Sequence, residues 1–144
     1  MNIESIVTAA GIGFIAVIGV LIVLVKMPKR LRAKYFVGRW QHLQGFCKDK
    51  QKWPKVLEDA DKLLDRALKK RKFKGNSMGE RMVSAQRTFT DNDGAWFAHN
   101  LYKKVMADPE FKLREADMKN ALVGFRQALR DIGALPTEQS KERQ

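Results

Sequence analysis

Cysteine is almost missing: Cys47 is the only one in 144 residues. An internal disulfide is thereby excluded, and a lone thiol fits a reducing compartment. Histidine is nearly as scarce. His42 and His99 stand far apart, with no cysteine, histidine or acid at ligand spacing. A structural or catalytic zinc site needs three or four protein ligands, so neither a metal nor another cofactor is expected. Two histidines also offer few bases for a nucleophile–base–acid set, and His99 beside Asp93 or Asn100 reads as a capping or surface contact. No phosphate-cradling loop is present: GNSMGE at 75–80 lacks the G-x-x-x-x-G-K-[ST] frame and follows no strand. The turn at 90–94 holds two carboxylates but not the ligand pattern of a calcium loop. Strand-like alternation and internal repeats are absent as well, which leaves an all-helical reading.

The most consequential absence is of charge. Residues 5–25 contain no ionisable side chain, and only Ser5 and Thr8 are polar. As a helix rising ~1.5 Å per residue, this run spans roughly 30 Å, the thickness of a bilayer's hydrocarbon core. It reads as a transmembrane helix, the form that satisfies its own backbone hydrogen bonds in lipid. A cleaved signal peptide would have a basic start, a shorter apolar run and a small-residue cleavage site. Here the start is MNIE, and KMPKRLRAK comes after the run. Lys26, Lys29, Arg30, Arg32 and Lys34 crowd the C-terminal flank. Positive flanks stay inside, so the N-terminus is expected outside the plasma (inner) membrane and the rest in the cytoplasm. The same five cations are candidates for contact with lipid headgroups. Ala9-x-x-x-Gly13 is a small-x-x-x-small pair through which two copies could associate.

Past the apolar run, positive charge is abundant. The chain carries a net +12, and Glu4 is the only charged side chain before Lys26, so the remainder carries +13. The partners this charge suits are anionic lipid, nucleic acid or an acidic protein surface. Helical spacing of apolar residues predicts segments over 31–48, 54–72, 78–89, from 94 or 95 to about 108, and 114–132. Phe36, Trp40, Leu43 and Cys47 make one face of the first, with Tyr35 and Phe46 widening it. Pro54 suits a first turn, Gly75 a helix stop, Ser77-x-x-Glu80 a capping box and Gly133 a C-terminal cap. Glu58, Asp61 and Asp65 read as solvated or salt-bridged surface acids, with Asp61 at the edge of the apolar face. The expected architecture is all-α: a membrane anchor over 1–27, a four- to five-helix cytoplasmic bundle over 28–135 with 54–72 and 114–132 as its spine, and a disordered tail over 136–144.

Within the bundle, Lys69, Lys70, Arg71, Lys72 and Lys74 form a dense run around Phe73, and Lys103 and Lys104 a second pair. Both are candidate sites for an anionic partner such as a phosphate backbone. They would join Lys48, Lys50 and Lys52 in one patch only if the fold brought them together.

Two stretches carry a resemblance: ADKLLDRALKKRKFKGNSMGERM at 60–82 and WFAHNLYKKVMADPEFKLREADMKNALVGFRQAL at 96–129. With the phrases AD-x-LLD-x-x-L and G-x-SMGER, they resemble segments of small, membrane-anchored bacterial proteins of the candidate-phyla type. The second stretch is similar to the end of a HEPN-type helical domain. In nuclease members of that superfamily an arginine with a polar neighbour precedes a histidine by four to six residues, and the two act on RNA across a dimer interface. Tyr102 stands at the arginine's place, Lys103 at the neighbour's and Ala107 at the histidine's. The resemblance therefore implies a helical domain whose nuclease set is degenerate. Taken together, the residues favour a membrane-tethered, non-enzymatic binding or scaffold domain. A membrane-associated nucleic-acid binder comes second and a diverged HEPN-like ribonuclease third.

Overall fold

The computed structural model describes residues 2–26 and 30–137, Lys26 by its backbone alone. The expectations that Pro28 starts a new helix or bends the first, that Lys29 meets lipid headgroups and that the tail beyond Thr137 is disordered concern residues outside those described. The chain is all-α: α1 (Ile3–Lys26), α2 (Ala33–Gln44), α3 (Trp53–Lys70), α4 (Met78–Ala85), α5 (Asn92–Ala107) and α6 (Glu115–Asp131), with a 3-10 turn at Lys50–Lys52 before α3.

Helix α1 is long and apolar enough over Ile3–Val25 to cross a membrane, with a mean hydropathy of 2.7, and none of that stretch is buried within the protein. It packs on no other described element. The five remaining helices form a bundle around one core. Helix α3 is its hub and touches α2, α4, α5 and α6. Its apolar face is wide enough for this: Trp53, Val56, Leu57, Ala60, Leu63, Leu64, Ala67 and Leu68 are all buried. The pair expected as the spine does make contact, but the widest interface is between α5 and α6. Small residues explain it, since the interaxial distance of two helices follows the size of the side chains between them. Ala95 and Ala98 on α5 and Ala121, Gly124 and Ala128 on α6 are buried. Gly124 lies so close to the Gly94 carbonyl that a Cβ would collide with it.

Several boundaries differ from the sequence reading. Helix α2 ends at Gln44, and residues 45–48 continue as turns. Phe36, Trp40 and Leu43 are buried as expected, Cys47 is half-buried, and Tyr35 and Phe46 stay exposed rather than widening the buried face. Trp53 Nε1 donates to the Cys47 carbonyl at 2.7 Å and pins this turn to the start of α3. Helix α3 stops before Gly75. Lys72 takes the left-handed conformation (φ 64°), and the Phe73 amide donates back to the Leu68 carbonyl at 3.1 Å. This is a Schellman-type end with a lysine in the position that glycine usually holds. Gly75 has another duty. At φ 153° it lies against the Arg81 amide, 2.6 Å from where a Cβ would stand.

Helix α4 is shorter than expected, ending at Ala85 in a turn, yet Met82, Ala85 and Phe89 are buried as their spacing required. Its capping box forms with one displacement. Ser77 Oγ accepts from the Glu80 amide at 3.2 Å, while Glu80 Oε2 accepts from the Asn76 amide, one residue before the cap, at 2.6 Å. Helix α5 starts at Asn92, inside the expected turn, because Asp91 caps it by accepting from the Gly94 amide at 2.9 Å. Gly133 (φ 81°) ends α6 as expected.

Candidate functional site

The cations proposed for an anionic partner fall into separate places. Helix α3 ends in Lys69 and Lys70, both exposed, and Lys69 is held by Asp65 at 2.9 Å. Arg71 is half-buried, and its Nε is shielded with no hydrogen-bond partner among the described residues. Lys72 and Lys74 are exposed. Lys103 and Lys104 are exposed near the other end of α5. Asp61 meets His99, and Tyr102 senses the charges of both Asp61 and Glu58, so α5 runs antiparallel to α3. This sets Lys103 and Lys104 beside the first half of α3 and the 69–74 run at its far end. Lys50 and Lys52 lie at the start of α3, over the rings of Trp53 and Phe46 at 5.8 and 4.6 Å. An 18-residue helix separates them from Lys70, roughly 27 Å. The fold therefore does not gather these lysines into one patch. Arg30, Arg32 and Lys34 are exposed at the entry to α2. Lys29 and the Lys26 side chain lie outside the described residues.

The chemistry-bearing pair in the interior is one the sequence reading missed. Asp61 and His99 are buried, 5 % and 7 % exposed, with His99 Nδ1 2.7 Å from Asp61 Oδ1. Asp61 is thus not a surface acid, and His99 meets neither Asp93 nor Asn100. Burial pushes the Asp61 carboxyl above its usual range, and the His99 contact opposes that rise. Trp96 and Tyr102 flank the imidazole, with ring centroids 6.0 and 6.4 Å away. One turn along α3, Asp65 accepts from Arg81 Nε at 2.7 Å, and Arg81 also donates to the Gly75 carbonyl at 2.8 Å. Burial by itself would raise the Asp65 carboxyl, but Arg81 and Lys69 outweigh it and hold it below its usual range. Of the three acids read as solvated or salt-bridged surface groups, Glu58 pairs with Lys55 and Lys62 and Asp65 with Lys69 and Arg81, both acids being half-buried, and only Asp61 departs from that reading. Of the positions matched to the HEPN set, Tyr102 is half-buried beside His99, whereas Lys103 and Ala107 are exposed.

A groove between α2 and α3 is also new. It holds about 220 Å³ and is lined by Tyr35, Arg39 and His42 on one side and Asp59, Lys62 and Arg66 on the other. The Arg66 guanidinium sits over the Tyr35 ring at 4.7 Å. In the sequence these cations are scattered singles; only the packing of α2 on α3 assembles them. Among the described residues, no group of three or more histidine, cysteine or acidic side chains could hold a metal ion. Compared with known proteins, the chain matches no family model, no curated protein and no solved structure.

Proposed function

We propose that this chain is a single-pass, membrane-tethered binding or scaffold module, with its N-terminus outside the plasma membrane and its helical bundle in the cytoplasm, working by contact rather than by catalysis. The observation that carries this reading is α1, whose membrane-length apolar stretch contributes nothing to the core while the other five helices bury a core of their own. In water such a helix would expose Phe14, Ile15, Leu21 and their neighbours, which lipid would cover. The flanking cations and the positive-inside tendency support the orientation. Alkaline carbonate should leave the full-length chain in the membrane pellet, and the bundle should resist protease in right-side-out spheroplasts. Release of the intact chain into the supernatant, or digestion of the bundle outside, would reject the anchor or its orientation respectively.

A second reading, contact with a nucleic-acid backbone, is favoured by Lys70, Lys72 and Lys74, which are exposed and form no ion pair among the described residues. Such binding would lose ~0.9 in log K per neutralised phosphate for each tenfold rise in salt on duplex DNA. It would also vanish in the triple variant Lys70→Glu/Lys72→Glu/Lys74→Glu. Binding that ignores salt, or survives the triple variant, would remove this reading.

A further inference from the structure

We propose that the groove between α2 and α3 is a site for the phosphate-bearing headgroup of an anionic membrane lipid. The proposal rests on the membrane-anchored reading of α1 and adds to it a partner and a place.

Charge comes first. Arg39 and Arg66 both line the groove, and neither is paired with an acid among the described residues. Lys62 is committed to Glu58 at 2.5 Å, and Asp59, the acid on the wall, is neutralised by Lys55 at 3.0 Å. Arg39 and Arg66 thus line one concavity whose only acid, Asp59, is already paired with Lys55. Guanidinium is the side-chain group whose forked donors match phosphate oxygens two at a time. Arg66 is already held over the Tyr35 ring at 4.7 Å, a contact that spends none of its N–H donors on an acid. Less side-chain freedom remains to be lost on binding.

Size comes second. At ~30 Å³ of liquid per water, the groove's 220 Å³ corresponds to about seven waters, room for a phosphate group and the first atoms of its ester. It would not enclose an extended polymer.

Position decides between a lipid and a soluble phosphate. Tyr35 lies nine residues after Lys26, the last residue of α1. At ~3.3–3.6 Å per extended residue it cannot be further than roughly 30 Å from that end. Arg30, Arg32 and Lys34 lie on the way and draw anionic headgroups to the same neighbourhood. The tether therefore keeps the groove close to a surface dense in headgroups, which raises their effective concentration far above that of a free anion.

The test uses the full-length chain in dodecyl maltoside micelles, titrated with dihexanoyl phosphatidylglycerol, dihexanoyl phosphatidylcholine and inorganic phosphate in turn. Arginine side-chain NMR signals are the readout. The anionic lipid should shift the Arg39 and Arg66 Nε–Hε signals saturably, with phosphatidylcholine and free phosphate weaker by about tenfold or more. Arg39→Gln/Arg66→Gln should lose about tenfold or more in affinity for the anionic lipid, the order expected when two charge-assisted donors go. Arg87→Gln, outside the groove, should not change it. Unshifted Arg39 and Arg66 signals, equal response to both lipids, or wild-type affinity in the double variant would overturn the site. Free phosphate binding as tightly as the lipid would overturn the lipid as its source. Micelles need no membrane insertion, so these results fail or succeed separately from carbonate extraction, which tests the anchor alone.

Discussion

Asp61 and His99 show how little a single residue's identity says before its partner is known. Each alone would be an expensive group to bury; together, at 2.7 Å, each satisfies the other's hydrogen bond. Truncating one partner strands the other, and a broken buried pair costs about 3 kcal/mol or more. His99→Ala should lower stability in urea by about that much, whereas Asp61→Leu/His99→Leu should recover most of it, because well-packed apolar replacements of buried pairs are often neutral. A double variant no more stable than His99→Ala would contradict this account of the pair. The neighbouring acid gives a pH signature. Asp65 is held below its usual range, so its contribution is complete above the unfolded value of about 3.9 and is lost as pH falls through its lower folded value. The stability gap between wild type and Asp65→Asn should therefore shrink on acidification below about pH 4, and a gap that widens there would contradict the Arg81 pairing. Asp61, raised by burial, has the opposite sign: its contribution is complete below about 3.9 and fades as pH rises through its folded value.

At the scale of elements, two backbone positions decide how helices end and approach. Gly124 brings α6 against the first turn of α5, where a Cβ would meet the Gly94 carbonyl and crowd the Ala98 methyl at 3.4 Å. Gly124→Ala should cost about 1–3 kcal/mol, the usual penalty of overpacking, measured as a lower urea midpoint with an unchanged m-value. Lys72 offers the reverse case. An L-residue at φ 64° carries a steric cost that glycine lacks, so Lys72→Gly should raise stability by about 1 kcal/mol, and a loss would show that the lysine side chain does more than end α3. Further along, Asp131 accepts from the Thr90 amide at 2.8 Å and from Gln127 at 2.9 Å, which fastens the turn before α5 to the end of α6.

The molecule as a whole divides into an apolar leading helix and a bundle with a core of its own. Helix α1, long and apolar enough to cross a membrane, shares no packing with the bundle, so removing it takes nothing from the core. Residues 30–137 should remain soluble without detergent and unfold cooperatively, with a Tm within about 2 °C of the bundle in the full chain, a shift worth only a fraction of a kcal/mol. Loss of cooperative unfolding in that shortened chain would mean that α1 supports the fold. Within the bundle, antiparallel packing of α3 and α5 spreads the positive charge over several faces, and Arg39 and Arg66, neither in an ion pair among the described residues, line one groove beside α2.

Periodicities of 3.6 residues and runs of apolar side chains made the all-helical class, the apolar leading helix and most buried faces legible before any packing was known. Met82, Ala85 and Phe89 were legible in this way even though the helix carrying them ends early. Asp61 was half legible: its place between Leu57 and Leu64 put it at the edge of the apolar face, where it read as a surface acid, and periodicity along one helix says nothing about which residue of another will face it. The meeting of His99 with Asp61 and of Arg81 with Asp65, the separation of the lysine clusters and the groove shared by Arg39 and Arg66 arise from the packing of one helix on another. Those are distances across helices, which the spacing of residues along any one helix does not carry.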